Sequence, residues 1–422
     1  MLISVFTPTH DATYLKETYK SLKKQTYLNW EWIIVPNGNV KINLDDFPES
    51  DLRIKIIPYT GTNYNIGALK KFACEHCKGE LFVELDHDDM LTPDALETIS
   101  SHYIKLGTDN AFLYSDTVHF YNGMLGKSQV YNSIYGWESY PFFYDGLEYT
   151  ALRSFDPTPC SLRHVNFAPD HVRVWSKKAY EVSGGHSPET KLGDDHELIC
   201  KSYIAGVNFH HIPQCLYMYR VHEKNSCMLD NDGVMKQVNE NQRKYLYPLI
   251  SRWCEINELP KLDMGAAHNK KPGFLGVDMY NVPGVDVVCN ALEGLPYKDN
   301  SIGCISCTDF LEHMPLGSLP KVFNEFYRVL VPGGWLISDT PSTDGRGAFQ
   351  DPTHSSFINS NSFWYYTNRD YAKFVPEIKC RFQMAQIWNS TPNDFCKLHN
   401  IVYVHADMVA IKDQRLPGEC LI

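Results

Sequence analysis

Three aspartates, Asp86, Asp88 and Asp89, stand close together where an apolar run of the sequence ends. Carboxylates packed this closely repel one another, so each of them binds a proton more readily than it would alone. A divalent cation removes that repulsion, and oxygen ligands of this kind suit Mg²⁺ or Mn²⁺, which bind through one or two carboxylates together with a substrate's phosphates. The cluster therefore predicts a metal-assisted reaction on a phosphorylated substrate, with a solvated acidic turn as the alternative.

The residues around the aspartates predict the elements that position them. Residues 81–83 form a short apolar run typical of a buried parallel strand, and Thr92-Pro93-Asp94 indicates a helix start. Strand and helix patterns alternate from residue 2 onward, which predicts an α/β domain with a mostly parallel sheet and helices on both faces. Because such sheets bind ligands at the carboxyl ends of their strands, the aspartates lie where a ligand is expected.

Length and composition restrict the class of protein. The 422 residues suffice for two or three domains, and the net charge of -11 argues against a nucleic-acid duplex or an anionic membrane as a docking partner. The 13 cysteines are an odd number without paired zinc-ligand spacings, which is typical of reduced thiols in a cytoplasmic protein. No apolar run approaches the roughly 18 residues of a membrane helix, and residues 1–10 look like a first strand and not a signal peptide.

Six short motifs in the first 226 residues occur in the order found in family 2 glycosyltransferases of the GT-A fold, and the chain resembles that family. The motifs are Thr7-Pro8-Thr9 after a strand, Ser21-Leu22-Lys23-Lys24-Gln25-Thr26, the helix start Asn65-Ile66-Gly67, the acidic Asp86-His87-Asp88-Asp89, the pair Asp194-Asp195 after a Gly184-Gly185 turn, and Tyr219-Arg220-Val221-His222. One such motif alone is a weak signal. All of them in order favour the metal hypothesis over the solvated turn.

The resemblance implies a nucleotide-diphosphate sugar, UDP- or GDP-linked, as the donor and Mn²⁺ or Mg²⁺ as the cofactor. It places the metal on Asp86 and Asp88, with His222 as a further ligand, and it makes Asp195 the base that takes the proton of the acceptor hydroxyl. Attack from the face opposite the leaving diphosphate would invert the anomeric carbon. The residues implied to contact the donor are Thr7, Pro8, Thr9, Asn37, Lys70, Asp86 and Arg220.

For Asp195 and His222 the alternative is a role that does not involve catalysis or metal binding. Asp195, or its neighbour Asp194, would also suit the N-cap of a predicted helix over residues 197–205, because aspartate is a preferred capping residue. His222 would otherwise be an ordinary surface histidine.

The identities of donor and acceptor stay open. Asn37, in the turn of residues 36–39, stands where the family usually has an acid that contacts the donor's base. An asparagine can still donate and accept hydrogen bonds there. Residues 114–170 are rich in aromatic side chains, which would either stack on the sugar rings of an acceptor or pack as core.

The second half begins a new strand and helix pattern after a predicted helical connector. Residues 260–345 resemble class I methyltransferases, whose Rossmann-like fold binds S-adenosylmethionine, and the specific segments are Leu311-Glu312-His313 and residues 328–334. The resemblance implies that the cofactor is held by Asp263, Gly265, Asp278 and Asn290. The predicted organisation is a GT-A domain over residues 1–228, a connector over 229–258 and a methyltransferase-like domain over 259–422.

Departures from the pattern leave the activity of this second domain open. Ala266 and Ala267 stand where the family has glycines. Only about eight residues separate Gly265 from the next strand, whereas a parallel crossover needs a dozen or more. The domain is therefore either an active methyltransferase or a degenerate one kept for acceptor binding or assembly. Residues 345–354 bring Arg, Asp and His together and form either a lid or a surface loop.

The sequence as a whole predicts an inverting, metal-dependent glycosyltransferase of glycan or surface polysaccharide synthesis, with methyl transfer as a second activity if the C-terminal domain is active. The Gln-x-x-Arg-Trp segment of processive members is absent after Asp195, so transfer of one or a few sugars is expected. One competing hypothesis is an enzyme that glycosylates hydroxylated bases in nucleic acid, which the acidic net charge disfavours. The other is a non-catalytic binding module, which the metal and base motifs disfavour.

Overall fold

The structure, a computed structural model, describes residues 1–38, 40–42, 47, 51–133, 136–165, 167–225 and 229–412. Asn39, in the turn predicted after the second strand, lies outside this part. The chain divides into two units, Met1–Leu249 and Ile250–Ile422, and both are α/β as predicted. Among the described residues, no helix is long and apolar enough to cross a membrane, and all eleven cysteines are free thiols.

The first unit is built on one large mixed sheet. Its strands are β1 (Ile3–Thr9), β2 (Trp30–Pro36), β3 (Ile54–Ile56), β4 (Leu81–Glu84), β5 (Met90–Leu91), β6 (Ala111–Tyr121), β7 (Ser128–Gln129), β8 (Ser139–Tyr144), β9 (Leu147–Leu152), β10 (Arg173–Ser176) and β11 (Asn208–Val221). Its helices are α1 (Leu15–Lys23), α2 (Ile66–Glu75), α3 (Ala95–Leu106), α4 (Pro159–His164), α5 (Lys177–Val182), α6 (Asp194–Ile204) and α7 (Asn231–Ile256), which continues into the second unit.

Parallel strands bring the predicted site residues to one edge of this sheet. The strand order is β3-β2-β1-β4-β10-β6-β11-β5. β1 runs parallel to β2 and β4, with Thr9 opposite Pro36 and Phe6 opposite Glu84. β6 also runs parallel to β11, whereas β10 is antiparallel to both of its neighbours. The carboxyl ends of β1, β2 and β4 therefore meet at the edge where the acidic loop begins.

The aromatic-rich residues 114–170 form strands and a small core. β7, β8 and β9 and most of β6 lie in this range. Trp137 and Phe155 are buried in one apolar cluster, with ring centroids 4.4 Å apart. Phe143, on β8, is 68% exposed. Part of the segment thus packs as core, and an acceptor role for the rest stays a prediction.

The predicted connector is a helix, α7, and the division between the units falls within it, after Leu249. Val238 and Leu246, in its first part, are buried. The Asn241 side chain donates a hydrogen bond to the Gly193 carbonyl at 3.2 Å. The first unit therefore takes in residues 229–249 as well as the predicted glycosyltransferase domain.

The second unit is built on a seven-stranded sheet. Its strands are β12 (Lys261–Met264), β13 (Leu275–Asp278), β14 (Val287–Val288), β15 (Ile302–Thr308), β16 (Leu330–Pro341), β17 (Phe382–Ser390) and β18 (Tyr403–Ala410). Its α-helices are α8 (Leu319–Val329), α9 (Gly347–Gln350), α10 (Trp364–Thr367), α11 (Arg369–Ala372) and α12 (Asp394–Leu398), and its 3-10 helices are Leu311–His313 and Ser360–Phe363.

The order of these strands is β14-β13-β12-β15-β16-β18-β17, with the first five parallel and β18 antiparallel to both neighbours. The parallel part has the 3-2-1-4-5 order of a Rossmann sheet, as predicted. Residues 265–274, between β12 and β13, are all described and contain no helix. The short spacing seen in the sequence therefore corresponds to a missing crossover helix.

Candidate active site

The loop after β4 is fixed to β11 through Asp89. The Asp89 carboxylate is fully buried and accepts hydrogen bonds from the Tyr217 hydroxyl at 2.8 Å and from the Arg220 backbone amide at 2.7 Å. The Tyr217 hydroxyl in turn accepts from the Asp86 amide at 3.1 Å. Burial, together with the charges of Asp88 and Asp86, raises the pKa of Asp89 well above its ordinary value. Asp89 is therefore an anchor of the loop.

Asp88 and His222, two of the predicted metal ligands, lie side by side. Asp88 Oδ2 lies 2.8 Å from His222 Nε2, and each side chain keeps a small exposed fraction. The Asp86 side chain is 34% exposed, and its Oδ2 lies 3.8 Å from His171 Nε2. In the described part of the chain, the ligand atoms of Asp86, Asp88 and His222 do not all lie within 4.8 Å of one another. The structure thus brings two of the three predicted metal ligands together.

The acidic pair opens helix α6. The helix begins at Asp194, and Gly193 is its N-cap with a φ of 63°, a conformation that favours glycine. The alternative in which Asp195 caps a helix over residues 197–205 is wrong, because Asp195 already lies inside the first turn. The Asp195 side chain is 25% exposed and that of Asp194 only 6%.

Arg173, on β10, holds the carboxylate of Asp195. Its Nη1 donates to Asp195 Oδ2 at 2.6 Å, and Asp195 Oδ1 accepts from the His196 amide at 2.7 Å. Other guanidinium nitrogens of Arg173 donate to the carbonyls of Pro169 and Phe167. Burial alone would raise the pKa of Asp195, but the positive charge of Arg173, with that of Lys70, outweighs it and holds the pKa well below its usual range. Asp195 is therefore an ionised carboxylate in a fixed orientation.

Lys70 links two further acids behind Asp195. Its ammonium lies 2.6 Å from Glu84 Oε1 and 2.9 Å from Asp194 Oδ2, and all three side chains are buried. With Arg173 and Asp195 the network contains three carboxylates and two cations, so one negative charge is in excess. Burial raises the pKa of Asp194 to about 6, and the charge of Lys70 offsets this only in part. Despite its own burial, Glu84 has a pKa lowered to about 2 by Lys70 and Arg173.

Two residues predicted to contact the donor serve as supports instead. Lys70 is buried within the ion network just described. Arg220 is 4% exposed, and its guanidinium donates to the Asp88 carbonyl at 2.7 Å and to Glu17 Oε2 at 2.7 Å. It also lies over the ring of Tyr14, 4.3 Å from the centroid. Both charged groups are buried and paired with other groups of the chain, so a direct contact of either with a donor is corrected to a positioning role.

The other predicted donor contacts lie at the carboxyl ends of β1 and β2. Thr7 is buried, and its hydroxyl donates to the Leu85 carbonyl at 2.6 Å. The Thr9 hydroxyl donates to the Asp11 carbonyl at 2.8 Å. Pro8 is buried, whereas Asn37 is partly exposed. The backbone amide of Asn37 donates to the Thr9 carbonyl at 2.7 Å. Thr7 thus supports the acidic loop, and donor binding by Pro8, Thr9 and Asn37 stays a prediction.

Sequence reasoning missed the residues that orient the acids. His171 donates or accepts at both ring nitrogens, with Nδ1 3.1 Å from Asp170 Oδ1 and Nε2 3.2 Å from Arg173 Nη1. Asp170 also lies 2.7 Å from His119 Nε2. None of these residues belongs to a motif, and they come from β6, β10 and the loop before β10. Only the pairing of strands far apart in the sequence brings them to the site.

In the second unit, the side chains of three predicted cofactor residues accept hydrogen bonds from nearby backbone amides. Asp263 is buried and accepts from the Lys271 amide at 2.8 Å. The Asp278 carboxylate accepts from the amides of Ala267 and Tyr280. Asn290 Oδ1 accepts from the Leu292 amide, and Gly265 has a φ of 68° with no room for a Cβ beside Phe310.

The ammonium of Lys271 occupies the carboxyl end of β15. It donates to Ser306 Oγ at 2.5 Å and to Thr308 Oγ1 at 2.9 Å. Rossmann-like sheets bind their ligands at this end of the strands. Here a side chain from the loop between β12 and β13 lies there.

Comparison with protein families agrees with the two-part organisation. Residues 4–167 match the model of glycosyl transferase family 2, and residues 261–338 match that of a methyltransferase domain. The chain thus carries an N-terminal family 2 glycosyltransferase domain followed by a methyltransferase-like domain, and the predicted architecture is confirmed.

Individual relatives resemble the first half of the chain. The O-antigen biosynthesis protein RfbC of Myxococcus xanthus is 26% identical over 226 residues, which are 52% of this chain and 16% of that protein. The glycosyltransferase GlyA of Streptococcus pneumoniae is 24% identical over 228 residues, 52% of this chain and 30% of that protein. The chain spans less than a third of either relative. A solved structure of TarS residues 1–349 from S. aureus with UDP-GlcNAc has 16% identity and a TM-score of 0.45, covering 61% of this chain and 72% of that one.

Proposed function

We propose that the first unit is an inverting, metal-dependent glycosyltransferase that moves a sugar from a UDP- or GDP-linked donor to a hydroxyl of a glycan acceptor in polysaccharide synthesis. The observation that carries the proposal is the contrast between two neighbouring acids. Asp195 is ionised, partly exposed and held by Arg173, whereas Asp194 is buried against Lys70. Of these two acids, only Asp195 therefore offers a carboxylate to an incoming hydroxyl.

Asp195 suits a base that acts late in the reaction. Its low pKa makes it a weak base towards a free hydroxyl. As the acceptor oxygen bonds to the anomeric carbon, however, its proton becomes strongly acidic and passes to the carboxylate. Arg173 keeps Asp195 ionised and fixes its direction, which lowers the entropy lost on reaching the reactive geometry.

Asp88 and His222 would hold the metal ion, and Asp86 would bind the donor or complete the ligand set. An oxygen and a nitrogen donor 2.8 Å apart, each with a small exposed fraction, fit a divalent cation. Bound there, the ion would stabilise the negative charge that develops on the leaving diphosphate. Arg220 and Asp89 keep the loop that carries Asp86 and Asp88 in place.

A donor-hydrolysis screen tests this function. UDP- and GDP-sugars are incubated with the full chain and Mn²⁺, and release of the nucleoside diphosphate is measured. We expect release from at least one donor, with loss of the signal on addition of EDTA and in Asp88→Asn. Equal release with and without the chelator would refute the metal dependence, and release unaffected by Asp195→Asn in an acceptor assay would refute the base.

We further propose that the second unit does not transfer methyl groups and serves acceptor binding or assembly. The placement of the Lys271 ammonium between Ser306 and Thr308 supports this, as does the missing helix after β12. Calorimetric titration of the full chain with S-adenosylmethionine is expected to give no saturable binding heat. Saturable one-to-one binding would refute it.

A further inference from the structure

The 3-10 helix Leu311–His313 and the loop after α9 bring three metal-ligand side chains together. Glu312, His313 and His354 each offer one ligand atom, and these atoms all lie within 4.8 Å of one another. No other such group of three occurs in the described part of the chain. The site lies in the second unit and does not involve the residues of the proposed glycosyltransferase.

The buried carboxylate of Glu312 has one oxygen without a partner. Its side chain is 1% exposed, and Oε2 accepts from the Thr340 hydroxyl at 2.5 Å. Oε1 is buried and has no hydrogen-bond partner among the described residues. A buried carboxylate oxygen in this condition is costly unless a donor or a cation satisfies it.

Both histidines present a free ring nitrogen. His354 Nδ1 lies 3.0 Å from the Ala348 carbonyl, which can only accept, so the proton is on Nδ1. His313 Nδ1 lies 3.1 Å from Thr353 Oγ1, and that hydroxyl donates its own proton to Asp351 at 2.6 Å. His313 must therefore also carry its proton on Nδ1. In each ring Nε2 keeps its lone pair, and such hydrogen bonds from the other nitrogen are typical of metal-binding histidines.

Backbone hydrogen bonds hold the two segments in register. The amides of Ser355 and Ser356 donate to the Glu312 carbonyl at 2.8 and 2.9 Å. The Ser356 hydroxyl donates to the Met314 carbonyl at 2.8 Å. His354 is therefore fixed beside His313, and their ring centroids are 5.0 Å apart.

We propose that Glu312, His313 and His354 bind a Zn²⁺ ion. Two imidazoles and one carboxylate are a ligand set that zinc accepts, and sites with three protein ligands keep a fourth position for water or substrate. His313 is exposed, so that fourth position opens to solvent. The loop of residues 345–354, which the sequence left as a lid or a surface loop, thereby gains a role as the carrier of a metal ligand.

Zinc titration of the full chain tests the site. Because the first unit has its own predicted metal residues, the titration uses chelator-stripped protein with Asp88→Asn, followed by calorimetry with Zn²⁺. We expect one equivalent to bind, and we expect Glu312→Gln, His313→Gln or His354→Gln in that background to lose it. Thr353→Val, which removes the acceptor for His313 Nδ1 together with the hydrogen bond from the hydroxyl to Asp351, should weaken binding about 10- to 100-fold.

His268→Gln is the matched control, because His268 is an exposed histidine of the same unit. It should bind zinc as the Asp88→Asn background does. Circular dichroism confirms that each variant is folded, and Glu312→Gln, which keeps the side-chain shape, guards against loss of binding through unfolding. If the three ligand variants bind zinc like the control, or if the Asp88→Asn protein takes up none, the site does not exist and Glu312 is a buried structural acid.

Discussion

Asp194 and Asp195 are neighbours in the sequence, but they lie in different electrostatic surroundings. Asp195 pairs with Arg173 at 2.6 Å and keeps a quarter of its side chain exposed, and Asp194 is closed off against Lys70. The two positions therefore give a matched pair of isosteric substitutions. Asp195→Asn tests the role of the carboxylate as proton acceptor, and Asp194→Asn tests the effect of a buried charge on stability.

Asp195→Asn should lower kcat by about 10²- to 10⁴-fold while nucleotide affinity changes little, because asparagine keeps the shape and loses the proton acceptor. The amide oxygen can still accept from Arg173, so the variant should fold. The measurement is transfer rate with a donor and acceptor from the screen, alongside nucleotide binding. Asp194→Asn is the control and should keep most of the rate. A reversed result, in which Asp194→Asn alone loses the rate, would assign the base to Asp194.

The stability of Asp194→Asn relative to wild type should rise with pH. The pKa of Asp194 is raised from 3.8 to about 6 in the folded protein. The folded chain therefore binds this proton more tightly than the unfolded chain, and its contribution is full below about pH 4 and is lost as pH rises to about 6. Asparagine has no such loss. We expect a difference of roughly 1.4 kcal/mol per unit of pKa shift, measured by urea unfolding at pH 4 and pH 7. A flat difference across that range would contradict the raised pKa.

At the level of single residues, the sequence predicted the acids and His222 because each belongs to a motif of adjacent residues. It did not predict Arg173, and it assigned Lys70 and Arg220 to the donor. Whether a cation faces a ligand or a buried acid depends on which strand lies beside it. The pairing of β10 with β4, for example, places Arg173 opposite Glu84, and local patterns do not record it.

Among the elements, the contact between β11 and the acidic loop is the one on which the metal residues depend. The Tyr217 hydroxyl donates to Asp89 and accepts from the Asp86 amide, so one group joins the strand to both ends of the motif. Asp89 also accepts from the Arg220 amide. Loss of the hydroxyl would leave a buried carboxylate oxygen and a backbone amide without partners.

Tyr217→Phe should destabilise the protein by about 1–3 kcal/mol and weaken Mn²⁺-dependent nucleotide binding, because buried groups left without a hydrogen bond carry that penalty. Thermal unfolding and nucleotide titration measure the two effects. Tyr121→Phe is the control, since Tyr121 ends β6 and is 37% exposed. Wild-type stability and binding in Tyr217→Phe would show that the loop is held without this hydroxyl.

Element types were predictable from alternating apolar patterns, but the first residue of α6 was not. α6 begins at Asp194 because Gly193 adopts a left-handed conformation, and the acidic residues after it gave no local sign of being helical. The missing helix between β12 and β13 was predictable, because the count of residues alone excludes it. The number of residues between β12 and β13 thus predicted the missing helix, whereas the residue types did not predict where α6 begins.

On the scale of the whole molecule, α7 belongs to the first unit more than the sequence suggested. The sequence predicted only a helical connector over residues 229–258, and the burial of Val238, Leu246 and Leu249 does not follow from that prediction. The division between the units falls after Leu249. A boundary set at residue 228 would cut these side chains from the core that they cover.

A fragment of residues 1–258 should therefore fold and bind nucleotide, whereas a fragment of residues 1–228 should unfold at a much lower temperature. Each large buried apolar side chain that is removed with α7 lowers the free energy of unfolding by about 1.5–3 kcal/mol. Calorimetric melting and nucleotide titration of both fragments check this. Equal melting temperatures would show that α7 is a connector only, as the sequence predicted.

The ion network of Lys70, Glu84 and Asp194 also limits how the chain can diverge. A mutation that removes the ammonium leaves two buried carboxylates without this cation, whereas a mutation that neutralises one carboxylate reduces the excess negative charge. Substitutions at these positions during evolution should therefore occur in a fixed order, with Glu84 or Asp194 replaced first and Lys70 only afterwards. Among descendants of a common ancestor, a lost lysine at position 70 should always be accompanied by a lost acid at position 84 or 194, and the reverse need not hold.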